Sequence, residues 1–449
     1  MKHSLARGAA LAALAVTLAA PAFAALPIQK WQQANGAQVW LIESPALPIV
    51  DVQIDFDAGD RRDPLDKAGL ASVTASMSRK GLEARNGQPA LDENQLGEAW
   101  ADLGAGYGVD AGLDRMSFSL RSLTYPDLLN RAVQLAARQM GEPAFPQALW
   151  ERDRARSIAS MREALTRPGT VADQAFQKAV YGTHPYGNYA TEEALNRITV
   201  QDMREFYKLA QPCRAKASVV GAVNRQQADQ IVSTLLSRLP AGNCQPQAAV
   251  AEVPALTAPA ENSIPFASAQ AHVLIGQPGY KRDDPDYFPL LVGNYILGGG
   301  GFVSRLSEEV RQKRGLSYSV YSYFAPGLHA GAFTLGLQTR PDQAAQAVQV
   351  SRDVVRRFVA EGPSDAEMKA AKDFMVGGFA LRLDSNRKLL DNLANIAWYG
   401  LPLDYLDTWT KQVEKVTAAD IRAAFARKLQ PDRMVTVVVG GAQVAPTRQ

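Results

Sequence analysis

Histidine and cysteine are scarce in this 449-residue chain, with four of the former and two of the latter. Beyond residue 24 only His184, His272 and His329 remain, and none stands three or four residues from another His or Cys. No helical face therefore offers the paired ligands of a zinc site. No stretch approaches the ~20 apolar residues of a membrane span. The formal charge is +3, from 48 basic and 45 acidic residues, without the basic surplus of a nucleic-acid binder. The glycine run Gly298–Gly301 is not followed by the Lys-Ser/Thr pair that a phosphate loop requires. The 34 glycines and 26 prolines follow no period, and 47% of residues are hydrophobic. Collagen-like and disordered chains are thereby excluded.

What is present asks for at least two domains, given a usual size of ~100–200 residues each. The first 24 residues stand apart. Lys2 and Arg7 precede the apolar run from Ala9 to Ala20, and Ala22-Phe23-Ala24 has the small-x-small pattern of a cleavage site. The expectation is a cleaved bacterial secretory signal and a periplasmic protein starting near Ala25. That compartment permits disulfides. Between Cys213 and Cys244 lie a strand-like stretch (Lys216 to Val223) and a helix-like one (Arg225 to Leu239). A helix packed back along its strand would bring Cys244 towards Cys213. The pair is a disulfide candidate, the alternative being two free thiols.

The chain repeats itself. Shifted by 215 residues, Ser117–Gln134 lies on Ala332–Gln349: Phe118 meets Phe333, Leu120 meets Leu335, Thr124 meets Thr339, and Pro126-Asp127 meets Pro341-Asp342. A shift of 218 pairs Thr199, Asp202 and Arg204 with Thr417, Asp420 and Arg422; a shift of 219 pairs Val219-Val220-Gly221 with Val438-Val439-Gly440. Offsets that grow slowly in chain order indicate a duplicated domain. Phe118-x-Leu120 and Phe333-x-Leu335-x-Leu337 alternate as half-buried strands do. Thr124, Thr339, Thr199 and Thr417 each precede an Asp by three residues, which places a hydroxyl at a helix N-cap. The expected fold is α+β: two homologous α/β-sandwich domains in a clamshell, from an internal duplication. Residues 25–239 form the first domain and 266–449 the second. Pro240, Pro246, Pro254, Pro259 and Pro265 mark residues 240–265 as an extended Pro/Ala-rich linker.

Four motifs in order carry a resemblance. Gly69-Leu70-Ala71 with Met77, His184-Pro185-Tyr186-Gly187, Leu297-Gly298-Gly299-Gly300-Gly301-Phe302-x-Ser304-Arg305-Leu306, and Arg311-x-x-x-Gly315-Leu316-x-Tyr318-Ser319-Val320 resemble the pitrilysin/insulinase family of zinc metallopeptidases. Mitochondrial processing peptidase and bacterial two-subunit relatives share its half-size arrangement. The family's zinc site is a His-x-x-Glu-His helix plus a Glu on a later helix. At the matching positions this chain has Ser72, Ala75 and Ser76, and then Ser160 or Ala159. A serine hydroxyl is a poor zinc ligand beside imidazole, and alanine carries no proton. The isolated histidines offer no substitute; His184 reads as a turn cap, and His272 and His329 as structural or solvent-facing. The resemblance therefore implies no metal in this chain.

In the family an Arg and a Tyr seven residues apart reach from the second domain towards bound peptide. Here they match Arg311 and Tyr318. A guanidinium suits peptide carbonyls or a carboxylate, and a phenol can donate to a carbonyl oxygen as charge builds there. By the same resemblance Gly299 and Gly300 let backbone approach substrate or partner. Taken together these features imply a catalytically incomplete subunit of a heterodimeric peptidase, with zinc held by a homologous partner and a peptide as substrate. The rival reading is a scaffold or peptide-binding protein of the same fold without catalytic connection, as zinc-less relatives in the respiratory cytochrome bc complex are.

Overall fold

A computed structural model describes residues 27–85 and 87–441; the expected signal segment lies outside them. The first lobe contains β1 (Gln29–Gln32), β2 (Gln38–Glu43), β3 (Ile49–Phe56), α1 (Leu70–Met77), the short pair β4 (Gly81–Leu82) and β5 (Leu91–Asp92), α2 (Glu93–Asp102), β6 (Gly106–Ala111), β7 (Met116–Leu123), α3 (Pro126–Gly141), α4 (Gln147–Ala164), α5 (Pro168–Tyr181), α6 (Glu192–Arg197), α7 (Val200–Tyr207), β8 (Lys216–Gly221) and α8 (Arg225–Leu236). The second contains β9 (Ala260–Ile264), β10 (Ala271–Tyr280), α9 (Tyr287–Asn294), β11 (Val320–Phe324), β12 (Gly331–Thr339), α10 (Ala344–Glu361), α11 (Asp365–Gly377), α12 (Asn386–Tyr399), α13 (Tyr405–Lys415), α14 (Ala418–Lys428) and β13 (Val435–Val439).

Each lobe is built on one sheet, and the two share a topology. The first runs β1-β2-β8-β3-β7-β6, the second β9-β13-β10-β12-β11. In both, one parallel pair (β2 with β8, β9 with β13) is followed by antiparallel neighbours. One face of each sheet packs on its own lobe's helices. Val39, Leu41 and Val219 point into the first such core, Val273, Ile275, Phe333 and Leu335 into the second.

The opposite faces are covered by exchange. Helix α5 of the first lobe lays Phe176, Val180 and Tyr181 against Leu274, Val435, Val437 and Val439 of the second sheet. Helix α12 of the second lobe returns Leu389, Leu390, Leu393 and Ile396 to Trp40, Ile42 and Val220 of the first. Period-two alternation gives each strand two apolar faces to satisfy, and each large side chain so buried contributes roughly 1.5–3 kcal/mol. This also corrects one expectation: β7 is half-buried, whereas β12 is buried on both faces over most of its length.

The caps divide. Thr199 and Thr417 form capping boxes with Asp202 and Asp420. Thr124 and Thr339 do not cap. Pro126 occupies the first turn of α3 and makes Tyr125 the N-cap, while Thr339 stays in β12 and donates to the Leu316 carbonyl at 2.5 Å.

Residues 240–259 contain no helix or strand, but 260–264 of the expected linker are β9, a full member of the second sheet. The segment packs along the first lobe. Gln247 donates to the Asp57 carbonyl at 2.9 Å, Arg62 to Ala248, and His184 engages Ala251 at 2.9 Å. Cys213 and Cys244 are joined by a disulfide with Cα atoms 6.1 Å apart, fastening the linker's start to the foot of β8.

Candidate functional site

Helix α1 begins at Gly69, whose φ of +98° suits a residue without Cβ. The Asp63 carboxylate accepts from the Gly69 and Ala71 N–H groups at 2.7 and 2.9 Å, an anion at the positive end of the helix. Burial, with the Asp60 charge beside it, pushes this carboxyl up to about 7 against those bonds. Along the helix Ser72 is exposed and donates to Asp60 at 3.0 Å. Ser76 is half-buried, and Ala75 is 1% exposed within the first core. Ser160 lies exposed on α4. None of the four offers imidazole, thiolate or carboxylate. Among the described residues no group of three or more His, Cys, Asp and Glu is arranged to hold a metal ion.

The second lobe presents its residues outward. Helix α9 continues into a π-helical turn, Tyr295–Gly299, and a second such turn spans Ser307–Gln312. The glycines between have local causes. A Cβ on Gly298 would stand 2.3 Å from Ser322 Oγ, one on Gly299 2.9 Å from Asn294 Nδ2, and one on Gly300 2.7 Å from the Tyr295 carbonyl. Close packing therefore accounts for these three, against the edge strand β11 for Gly298 and against the preceding helical turn for Gly299 and Gly300. Gly301 differs: its φ is +61° and nothing lies near. Beside the run is a cavity of about 500 Å³ lined by Tyr280, Tyr287, Gly299, Tyr321 and Tyr323; Gly300, Arg311 and Tyr318 are not part of it.

Arg311 sits in the second π-helical turn, and Gly315, at φ +62°, reverses the chain towards Tyr318. The reversal places the guanidinium carbon 4.5 Å from the Tyr318 ring centre. The Phe302 ring centre is 4.3 Å from the same carbon. Tyr318 is 80% exposed and Phe302 65%. Nearby acids are committed elsewhere: Glu308 to Lys313 at 2.9 Å, and Glu309 to Lys313, Arg314 and Arg357. Those cations hold Glu309 at about 2. Among the described residues no carboxylate pairs with Arg311, and Tyr318 has no side-chain hydrogen bond. Sequence reasoning missed Phe302, whose signal was an aromatic directly after a glycine run where the chain must turn.

A second cluster, also unread, joins the lobes. Arg61 reaches Asp57 at 2.6 Å and lies 3.1 Å from Asp114, though its Nε is not aligned for a hydrogen bond there. Asp114 accepts from the Tyr186 hydroxyl at 2.6 Å and the Leu328 N–H at 3.0 Å. His184 Nδ1 accepts from the Tyr186 N–H, capping its turn, so Nε2 carries the proton donated to Ala251. Burial holds His184 below its ordinary value. His329, from the other lobe, packs edge-on with ring centres 5.2 Å apart and meets Glu252 of the linker at 3.2 Å. His272 lies at another lobe contact, its pKa lowered by burial. A Cβ on Gly169 of α5 would come 3.2 Å from its Nδ1.

Comparison with known proteins follows this division. The model of the peptidase M16 inactive domain matches residues 197–375, a span that includes Arg311 and Tyr318 but not Ser72 to Ser76. The crystal structure of a peptidase M16 inactive domain from Pseudomonas fluorescens superposes with a TM-score of 0.86 at 32% identity, covering 94% of this chain and all of that one. A non-peptidase homolog, YmxG, of Helicobacter pylori is 26% identical over 87% of this chain and 89% of its own. A protease structure from Helicobacter pylori shares the fold at 17% identity, with a TM-score of 0.82, covering 92% of this chain and all of that one.

Proposed function

The chain belongs to the peptidase M16 family, and we propose that it serves there as the non-catalytic subunit of a two-chain zinc peptidase. A homologous partner would supply zinc, water and general base. This chain would supply Arg311 to orient a peptide and Tyr318 to donate to the carbonyl oxygen as it gains charge. The observation that carries the reading is an asymmetry. Side chains able to hold a cation are missing at 72, 75, 76 and 160, while a half-buried guanidinium without a paired carboxylate and an exposed phenol stand together in the other lobe.

Descent of both lobes from one duplicated unit is supported by their shared strand order. Export to the periplasm is supported by the N-terminal pattern and agrees with a disulfide. Copurification from the native host should bring down a similar-length chain bearing His-x-x-Glu-His, with zinc in the complex. Arg311→Ala together with Tyr318→Phe should then lower peptide turnover by about 100-fold or more, as loss of carbonyl-polarising donors does. Unchanged turnover would refute the role. A chain that copurifies with no peptidase, yet keeps a stable partner, would favour the scaffold reading.

A further inference from the structure

We propose that Phe302 and Val303 complete a subsite around Arg311 for an extended peptide carrying an apolar side chain beside the carbonyl or carboxylate that the guanidinium holds. This rests on the reading of Arg311 and Tyr318 as peptide-contacting residues. The guanidinium carbon lies 4.3 Å from the Phe302 ring centre and 4.5 Å from that of Tyr318. Such stacking favours the cation and fixes its plane. Among the described residues no acceptor takes up its N–H donors, which in a guanidinium lie in the plane of the group and suit a peptide carbonyl or a carboxylate. The charge awaits that acceptor because Glu308 and Glu309 are bound to Lys313, Arg314 and Arg357.

Next to this polar edge the chain exposes Val303 at 74% as well as the Phe302 ring. Adjacent apolar side chains left bare on a defined turn mark a contact surface. The turn is held: Gly301 takes the left-handed conformation, Ser304 Oγ donates to the Gly301 carbonyl at 2.7 Å, and Gln312 donates to the Phe302 carbonyl at 3.0 Å. The apolar tip is thus preorganised, and binding forfeits little ordering entropy there.

The test measures fluorescence anisotropy of labelled octapeptides in a Gly/Ser/Ala host, with one central Leu, Phe or Ser, added to the purified full chain. Leu and Phe peptides should bind about tenfold tighter than the Ser peptide, the gain from covering one such side chain. Phe302→Ala should erase that ratio. Phe302→Leu should keep it while weakening all peptides, because the apolar contact survives and the stacking does not. Arg311→Ala should weaken all peptides alike. If Arg311→Ala weakens binding but Phe302→Ala leaves the Leu/Ser ratio intact, the subsite is wrong and the peptide role of Arg311 stands. If no peptide binds, or Arg311→Ala changes nothing, both fall. Loss of a copurifying partner in Phe302→Ala, with the peptide ratio unchanged, would make the tip a subunit contact and overturn the subsite.

Discussion

Asp114→Ala is the perturbation that reads the joint between the lobes. The carboxylate is buried and accepts from the Tyr186 hydroxyl and the Leu328 N–H, with Arg61 3.1 Å away. Burial and the Asp114 charge hold the Tyr186 phenol well above its ordinary value, so it donates at any physiological pH. Alanine leaves the buried Tyr186 hydroxyl unpaired, at about 1–3 kcal/mol, and the half-buried Leu328 N–H without its acceptor. It also leaves the buried Arg61 with Asp57 alone. Breaking a buried pair costs about 3–5 kcal/mol, and we expect that range for the whole substitution. At ~2–4 °C per kcal/mol for a lobe of this size, Tm should fall by about 6–20 °C. Urea unfolding followed by circular dichroism gives the free energy directly. Asp114→Asn, which keeps an acceptor for Tyr186, should lose about half as much. An alanine variant within ~0.5 kcal/mol of the parent, the level of an ordinary surface change, would refute the account.

Three further outcomes are expected. Cys213→Ser with Cys244→Ser opens a closure between residues 31 apart, and denaturant titration should show a loss of about 3–4 kcal/mol. Asp63 has a folded pKa of about 7 against about 3.9 unfolded. The folded state therefore holds its proton more tightly, and stability present below pH 4 is lost as pH rises to 7, at up to about 1.4 kcal/mol per unit. Relative to Asp63→Asn the parent should lose stability over that window, as paired urea curves at pH 4, 5.5 and 7 would show. Ala75→Glu drives a carboxylate into the first core and should cost about 2 kcal/mol or more by thermal melting; a Tm within 2 °C of the parent would contradict the packing seen there.

Local chemistry was legible. Thr199 and Thr417 cap their helices because each carries its own Asp three residues on, and the apolar runs of the inner strands announced a core. Where a local signal competed with another it misled: Pro126, with φ preset for a first helical turn, moved the cap from Thr124 to Tyr125. The repeat was readable but not its register. Asp51 faces both Val220 and Arg121, and His272 faces both Val439 and Gln338. The sequence repeat pairs Arg121 with Gly336, so β12 has slid by two residues. A slide of two preserves which side chains face the core, so packing tolerates it and the sequence does not report it. Contacts between distant segments were beyond reach. Amphipathicity says that α5 and α12 have apolar faces but not which sheet receives them, and nothing near His184 announces His329. Of the candidate site, residue types were legible because chemistry depends on them. The stacking of Phe302 on Arg311 was not, since it depends on where a turn aims a ring.

The crossed helices have a consequence for any attempt to cut the molecule in two. Severed between the lobes, each half would keep a helix meant for its sibling and lose the one that roofs its own β-surface. Each fragment should therefore aggregate when expressed by itself and recover only when both are produced together.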